Sequence, residues 1–453
     1  MRKRFEQQLR LGQIPIGDVK ITLKCRDASV ELLAALQHIF VNPDYNDKVF
    51  SILEEAILKG KQKTGRTGMD LWQIFVLAQV RLCKGLGYDR LHYLANNDKL
   101  LRSIMGVESE FGYENIEFEY QNIYDNVRLL DDETVRQLNE VVLSFGHEVF
   151  KKKEEAPLCL KTDSFVVESN VHFPTDYNLL WDSIRKSLDI VKKLVSKHDQ
   201  IKGWRKISSW RSELKGLMRG LGKASRSGGI NKEARVKQAA GKYLNKANAL
   251  IKKFEDGIST LPITDEKDLA LICSLELYID LIKKHIKLLH RRVINGERIP
   301  HQEKMFSIFE EYTEWVTKGK LSPNVELGKK LAITTDQFDL IVDYRVMDHE
   351  QDRDIVIALA DRILNKWEVE SWSYDKGYWD KAHKELLQTV ISQVVMPKVG
   401  KRNPKEKEQE KSPSFKRLKS RHSAIESNIN ELENRGWTGV LTMASIITRV
   451  TLG

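Results

Sequence analysis

Asp163 follows the apolar run that opens a β-rich stretch over 158–167, Asp375 follows another over 369–374, and both are read as strand-end carboxylates. Gly377 follows the second and lets the chain turn into a helix expected over 379–388. A carboxylate at a strand end lies at the sheet edge, where α/β sheets hold their ligands. Two such strands side by side would make a pocket of hard oxygen, the kind Mg²⁺ takes while keeping water and phosphate oxygens. Glu426 lies on a helix beyond the last expected strand, and its longer side chain reaches toward the same pocket. Three carboxylates around two ions about 3.5–4 Å apart would activate a water or a 3′-hydroxyl and stabilise the leaving oxygen. Spacing alone does not single these three out of 64 acidic residues. A solvated charge or a helix cap accounts for each equally well, and Asp343, Asp348 and Asp352 occupy similar places.

The surrounding pattern supplies elements that could position them. Residues 1–150 read as helical, with apolar positions at helical spacing over 30–40 and 47–59. A glycine-containing loop at 65–70 opens an apolar helix over 71–83. Gly85 and Gly87 end it, and short helices over 88–95 and 98–105 follow. Short helices joined by tight turns suit either a helix-turn-helix reader of DNA or a plain bundle. The charged run 151–155 closes this region, and the first strand follows Pro157. Pro174 and Thr175 then open a helix through Val191. Strands are expected again at 305–309, 325–334, 340–347, 369–374 and 390–396, with a helix over 354–367, a charged loop over 401–411 and a helix over 414–435. Strands followed by a strand–helix alternation indicate an α/β domain.

Charge is concentrated between these parts. Lys and Arg number 74 against 64 acidic residues, a formal net charge of +10. Residues 202–253 hold fifteen of the basic side chains against only Glu213 and Glu233, with Trp204, Trp210 and Tyr243 interleaved and a glycine-rich break at 220–229. So one-sided a run repels itself unless it neutralises phosphates, so Lys202, Arg205, Lys206 and Arg211 are expected to meet nucleic acid. A further helical stretch at 266–292 completes this insertion. Cys25, Cys83, Cys159 and Cys273 form no Cys-x-x-Cys pair, which excludes a zinc knuckle or redox motif and suits reduced thiols of a cytoplasmic protein. The basic start Met-Arg-Lys-Arg leads into no apolar stretch, so no signal peptide is expected. The uncharged stretch near the end is shorter than the roughly 20 residues of a membrane span.

Three local sequences carry a resemblance. Thr162-Asp163-Ser164-Phe165-Val166-Val167-Glu168-Ser169-Asn170-Val171-His172-Phe173-Pro174-Thr175-Asp176, with Asn178-Leu179-Leu180 after it, closely resembles the first-aspartate block of DDE transposases from bacterial insertion sequences, most of all the ISNCY group. Ser373-Tyr374-Asp375-Lys376-Gly377-Tyr378 is similar to the second-aspartate block. Arg421-His422-Ser423-Ala424-Ile425-Glu426-Ser427-Asn428-Ile429-Asn430 is similar to the glutamate block. The stretches 313–320 and 325–328 resemble strands of the same family, and 65–106 resembles its N-terminal domain. The resemblance spans residues 1–436 in the right order. It implies an RNase H-like catalytic fold, cleavage and transfer of DNA strands dependent on two Mg²⁺ (or Mn²⁺) ions, and Asp163, Asp375 and Glu426 as the catalytic, metal-holding trio. Many relatives carry Tyr and Arg before the glutamate and Lys seven residues after it. Here Lys419 and His422 precede, and Glu433 takes the later place. The side chain that meets the element-end phosphate is therefore open among Lys416, Arg417 and Arg421.

The expected architecture is α/β: a helical N-terminal domain (1–150), an RNase H-like domain (151–200 and 301–436) and a basic helical insertion (201–300) that divides it. Double-stranded DNA, at transposon ends and target, is the expected partner. Joining two ends in one complex implies a homo-oligomer, and no membrane is involved. A non-catalytic protein that only binds element ends is the alternative. The resemblance stops at Gly436, where the family continues Leu-Asp-Arg into a basic helical tail. Read one base earlier, the Trp437–Thr438 junction must encode Asp, and the flanking shifted codons permit Leu and Arg. A single-base deletion is therefore expected, leaving 437–453 out of frame and activity low.

Overall fold

The computed structural model describes all residues except 1, 23–26, 61–67, 110–115, 151, 154, 155, 170, 199, 259, 260, 318–324 and 435–453. The atypical tail therefore lies outside the described residues. The chain is mixed α/β and divides into two compact units, one of residues 1–168 with 329–453 and the other of residues 169–328. These divisions differ from the boundaries expected at 150, 200 and 300. Among the described residues no helix is long and apolar enough to cross a membrane.

In the first unit the N-terminal helices Ala28–Val41, Pro43–Leu58, Leu71–Cys83, Tyr88–Asn97 and Lys99–Ile104 begin at or near the expected places, and Tyr120–Val127 and Asp132–Val149, not individually expected, follow. Four start on side-chain caps, from Asp27, Asn42, Asp98 and Asp131, each accepting a backbone N–H of its own first turn. Leu71–Cys83 is the central rod. Ten of its residues are buried, and the Trp72 indole donates to the Ile104 carbonyl at 2.7 Å. Among the described residues the apolar faces of these helices and the sheet share one cluster that runs from Phe50 and Trp72 to Leu160 and Trp372. Asp132–Val149 is the element that joins them. Asn139 donates to the Ile341 carbonyl at 3.2 Å, and His147 meets the buried Asp336 at 2.7 Å.

The strands are β1 (Leu158–Glu168), β2 (Glu314–Thr317), β3 (Val325–Thr335), β4 (Ile341–Val346), β5 (Val369–Tyr374) and β6 (Gln393–Val395). In the first unit their order is β4-β3-β1-β5-β6. β5 runs parallel to both β1 and β6, and β4 runs antiparallel to β3. Cys159 bonds to Gln337 and Thr162 to Thr334, so position falls on the β3 side as it rises along β1 and the pair is antiparallel. Leu158, Leu160 and Thr162 point into the core with Trp372 and Tyr374, and the Trp372 indole donates to Thr162 Oγ1 at 2.7 Å. After β4 come the helix Val356–Leu364 and, beyond β5, the helix Lys381–Leu387.

The last part of this unit departs from expectation in two places. Residues 401–411 contain not a loop but the helix Pro404–Lys411, which Asn403 and Glu406 start with a reciprocal capping box. The helix expected over 414–435 is two helices, Pro413–His422 and Ala424–Asn434, parted at Ser423.

The second unit is a helical assembly of Asp176–Lys197, Ile207–Arg226, Lys232–Ile258 and Glu266–Leu289 around a core that includes Leu180, Leu188, Leu214, Tyr243, Phe254 and Ile282. The first of these helices had been expected to belong with the catalytic strands. Its apolar face packs instead on Glu266–Leu289 and Ile207–Arg226. The break expected at 220–229 falls at 227–231, and Gly220 and Gly222 lie inside a helix. Residues 305–309, expected as a strand, form none. Ile308 anchors against Leu179 and Leu281, and Phe306 packs on Trp315, so burial alone accounts for the apolar spacing there. β2 pairs antiparallel with residues 325–328 of β3.

Candidate metal centre

β1 and β5 lie in parallel with Lys161 opposite Ser373 and Thr162 opposite Tyr374. One residue further along both strands, this register sets Asp163 beside Asp375. Their side chains leave the face opposite the Leu160–Trp372 core, because side chains alternate along a strand. The Asp163 carboxylate accepts the Ser164 backbone N–H at 2.7 Å. Burial pushes its pKa up to about 6. The Ser164 N–H works against that shift, and the like charges of Asp375, Asp352 and Glu426 add to it. The three residues expected to act together are thus near enough for Asp375 and Glu426 to raise the cost of ionising Asp163. Glu426 opens the helix Ala424–Asn434, which is pinned to the core by Ile425, Ile429 and Leu432. Asp163, expected at a strand end, lies instead within β1, which runs on to Glu168, whereas Asp375 follows the last residue of β5 and leads into a 3₁₀ turn, Lys376–Tyr378.

The rival carboxylates are accounted for otherwise. Asp343 is clamped between Arg136 (2.8 Å) and Arg362 (2.6 Å). Asp348 pairs with Lys329. Asp352 accepts from Lys330 Nζ at 2.6 Å and from the Ser164 hydroxyl at 2.6 Å. It also presses on the turn after Asp375, since a Cβ added at Gly377 would lie 2.6 Å from Asp352 Oδ2. Asp352 therefore ties β1, β3 and that turn together, a positioning role not apparent from the sequence. By contrast, Asp163, Asp375 and Glu426 have no Lys or Arg within ion-pair distance among the described residues.

This donor set fits a hard divalent cation. It is all oxygen, it includes a half-buried carboxylate crowded by like charge, and no protein cation neutralises it. Among the described residues, the oxygens of these three carboxylates do not all lie within 4.8 Å of one another. His422, beside them, bonds through Nδ1 to the Ser373 hydroxyl at 3.1 Å, and burial lowers its pKa.

The expected DNA-contacting residues fall into different settings. Lys202, Arg205 and Lys206 are exposed, whereas Arg211 is bonded to Asp189. The aromatic residues interleaved with them are not a surface platform. Trp204 and Tyr243 are core residues, and Trp204 stacks on Phe254 at 5.6 Å. Lys416, Arg417 and Arg421 are exposed along Pro413–His422, and of the three only Arg421 lines a cavity against β1 and β5. In the N-terminal region the short helices expected after Gly87 are present, while the helix before them is buried. No protein family, no curated protein and no solved structure gives a match to this chain.

Proposed function

We propose that this chain is a DDE transposase with an RNase H-like catalytic domain that cuts and joins DNA strands, with Asp163, Asp375 and Glu426 holding two Mg²⁺ or Mn²⁺ ions. The observation that carries the reading is the contrast in pairing. The rival carboxylates Asp343, Asp348 and Asp352 are each matched by a base, whereas Asp163, Asp375 and Glu426, near enough for the latter two to raise the pKa of the first, have none among the described residues. The strand order β4-β3-β1-β5-β6, with β1 parallel to β5 and antiparallel to β3, supports the fold assignment.

Bound there, the ions would supply an activated water or 3′-hydroxyl and a counter-charge for the leaving oxygen. Asp163 would hold from within β1, Asp375 from just beyond the end of β5, and Glu426 would complete the set from its helix. Asp352, through Ser164 and the turn at Gly377, keeps the two aspartates in register. Exposed Lys202, Arg205 and Lys206 on the inserted unit would bind the duplex backbone. Joining two element ends calls for a homo-oligomer. Asp163→Asn or Asp375→Asn should abolish Mg²⁺-dependent nicking of the element's own end and leave DNA binding near normal. Near-normal nicking in either variant would show that the trio is misassigned.

A further inference from the structure

Within the second unit, the helices Ile207–Arg226 and Lys232–Ile258 form a hairpin that outruns its own core. Lys246 pairs with Glu213 at 2.7 Å and Lys253 lies over the Trp210 ring, so position falls on one helix as it rises on the other. Tyr177 marks where the core ends. Its ring would lie 3.4 Å from a Cβ placed at Gly222, and its carbonyl accepts from the Tyr243 hydroxyl at 3.3 Å. Beyond Gly222 and Ala240, residues 223–239 include no buried residue.

This tip is ordered by its own hydrogen bonds. The Arg235 guanidinium donates to the Gly228 carbonyl at 2.5 Å, the Ser227 N–H to the Lys223 carbonyl at 3.1 Å, and the Lys232 N–H to the Gly229 carbonyl at 3.1 Å. Gly229 takes a φ of 102°, which glycine adopts without strain. The turn lifts Ile230 clear of both helices, and it is the most exposed large apolar side chain among the described residues. A lone exposed Ile is ordinary on a protein surface. Its surroundings set this one apart. Residues 223–239 carry Lys223, Arg226, Lys232, Arg235 and Lys237 against one acid, Glu233, which Lys237 meets at 2.8 Å. Lys223 and Arg226 end the first helix and Lys232 and Arg235 begin the second, so cations flank Ile230 on both sides in sequence. An apolar protein groove would leave these cations without counter-charge. A lipid surface needs more buried apolar area than one aliphatic side chain supplies. The minor groove of DNA, about 6 Å wide with a phosphate chain along each side, offers apolar base steps between two anionic walls.

We propose that Ile230 is a wedge that enters a base step of duplex DNA from the minor groove and kinks the duplex, with the flanking cations on the phosphates of both strands. Stacking lost at that step is offset by removing Ile230 from water and by the added phosphate contacts. The hairpin turn suits this task because Gly229 and the Arg235 bond hold the side chain out at a fixed place. The proposal rests on the reading that the second unit grips DNA, and adds that it bends what it grips.

The test uses the full chain in a metal chelator and a duplex of about 30 bp carrying a fluorescence donor and acceptor at its ends. Binding of the parent chain should bring the ends closer, as a kink of about 20–90° requires. Ile230→Ala should abolish that approach. Its affinity should change by less than about tenfold, since it neither buries the Ile nor unstacks the step. Ile230→Leu, which keeps an apolar wedge, should bend the duplex as the parent does. Ile230 supports no core, so these variants fold. Arg226→Ala and Lys232→Ala should each lower the slope of log K against log salt by about 0.9. Equal bending by Ile230→Ala, no bending by the parent, or unchanged salt slopes overturn the proposal. So does Ile230-dependent binding to phosphatidylglycerol vesicles in place of bending, which would make the tip a membrane anchor. The two readings fail separately. Ile230-dependent bending without Mg²⁺-dependent nicking sinks the catalytic assignment and keeps the wedge, and nicking with a bend that survives Ile230→Ala does the reverse.

Discussion

Asp163 is held in a place that is costly for a carboxylate, and that cost can be measured. Its pKa of about 6, raised from 3.8 chiefly by burial, means the folded state binds the proton more tightly than the unfolded state. Stability should therefore fall as pH rises from about 4 through 6 and stay reduced above that. Asp163→Asn has no such proton. In a metal chelator it should be more stable than the parent at pH 8 by up to about 3 kcal/mol, with the gap closing toward pH 4. Urea unfolding at both pH values checks this, and a variant less stable at pH 8 would contradict the crowding of charge described here. Gly377 has a cost of the opposite kind. An Ala there would put its Cβ 2.6 Å from Asp352 Oδ2, and Asp352 is held by Lys330 and Ser164. Gly377→Ala should cost about 1–3 kcal/mol, and Asp352→Ala in the same chain should recover part of it. Simple addition of the two losses in a double-mutant cycle would mean that they do not interact. Residue types and the end of β5 before Asp375 were legible from the sequence, but the strand end read at Asp163 was not there, because apolar Phe165 and Val166 carry β1 on to Glu168. The bases that neutralise the rival carboxylates were not legible either, because Arg136 and Asp343 lie 207 positions apart in the chain and meet only when it folds.

Among the elements, the helix Glu266–Leu289 carries the feature least expected from its pattern. His285 lies on its buried face with neither ring nitrogen bonded, and burial lowers its pKa from 6.5 to about 4. The unfolded chain therefore takes up a proton at a pH where the folded imidazole stays neutral. Stability of the second unit is full above pH 6.5 and falls as pH drops from 6.5 toward 4. The loss at pH 4 should reach about 2–3 kcal/mol, and His285→Leu should abolish it. Hydrogen exchange of peptides from this helix at pH 7 and 4.5 would show the difference, and equal pH dependence in both proteins would refute it. The helix start at Thr175 was legible, because that residue and Pro174 mark it as a cap, whereas the caps Asp27, Asn42 and Asp265 emerge only in the structure. The junction at Ser423 was not legible either. The residues on both sides continue a helical pattern, and nothing local marks the interruption that puts Arg421 and Glu426 on separate helices.

For the whole molecule, the excess of basic charge had been expected to act as one run. The fold distributes it over two helices and pairs part of it, Arg211 with Asp189 and Lys246 with Glu213. Lys202, Arg205 and Lys206, all exposed, should therefore account for most of the DNA affinity lost when these three and Arg211 are changed to Ala. Each phosphate contact removed should lower the slope of log K against log salt by about 0.9. Restoring Arg211 alone should regain little. Binding titrations from low to high salt decide the matter, and an unchanged slope would make the run a solvated surface. The Ser169 N–H donates to the Leu327 carbonyl at 2.9 Å, so the two ends of the second unit lie side by side. In chain topology the inserted helices occupy the connection of a β-hairpin. Closing a long connection costs only about 0.6 kcal/mol more per doubling of its length, and these helices supply their own core. A chain in which a short turn replaces residues 169–328 should accordingly still assemble the strands that carry Asp163 and Asp375. The sheet would then be separable from the basic helices, as a minimal module onto which other DNA-gripping parts could be spliced.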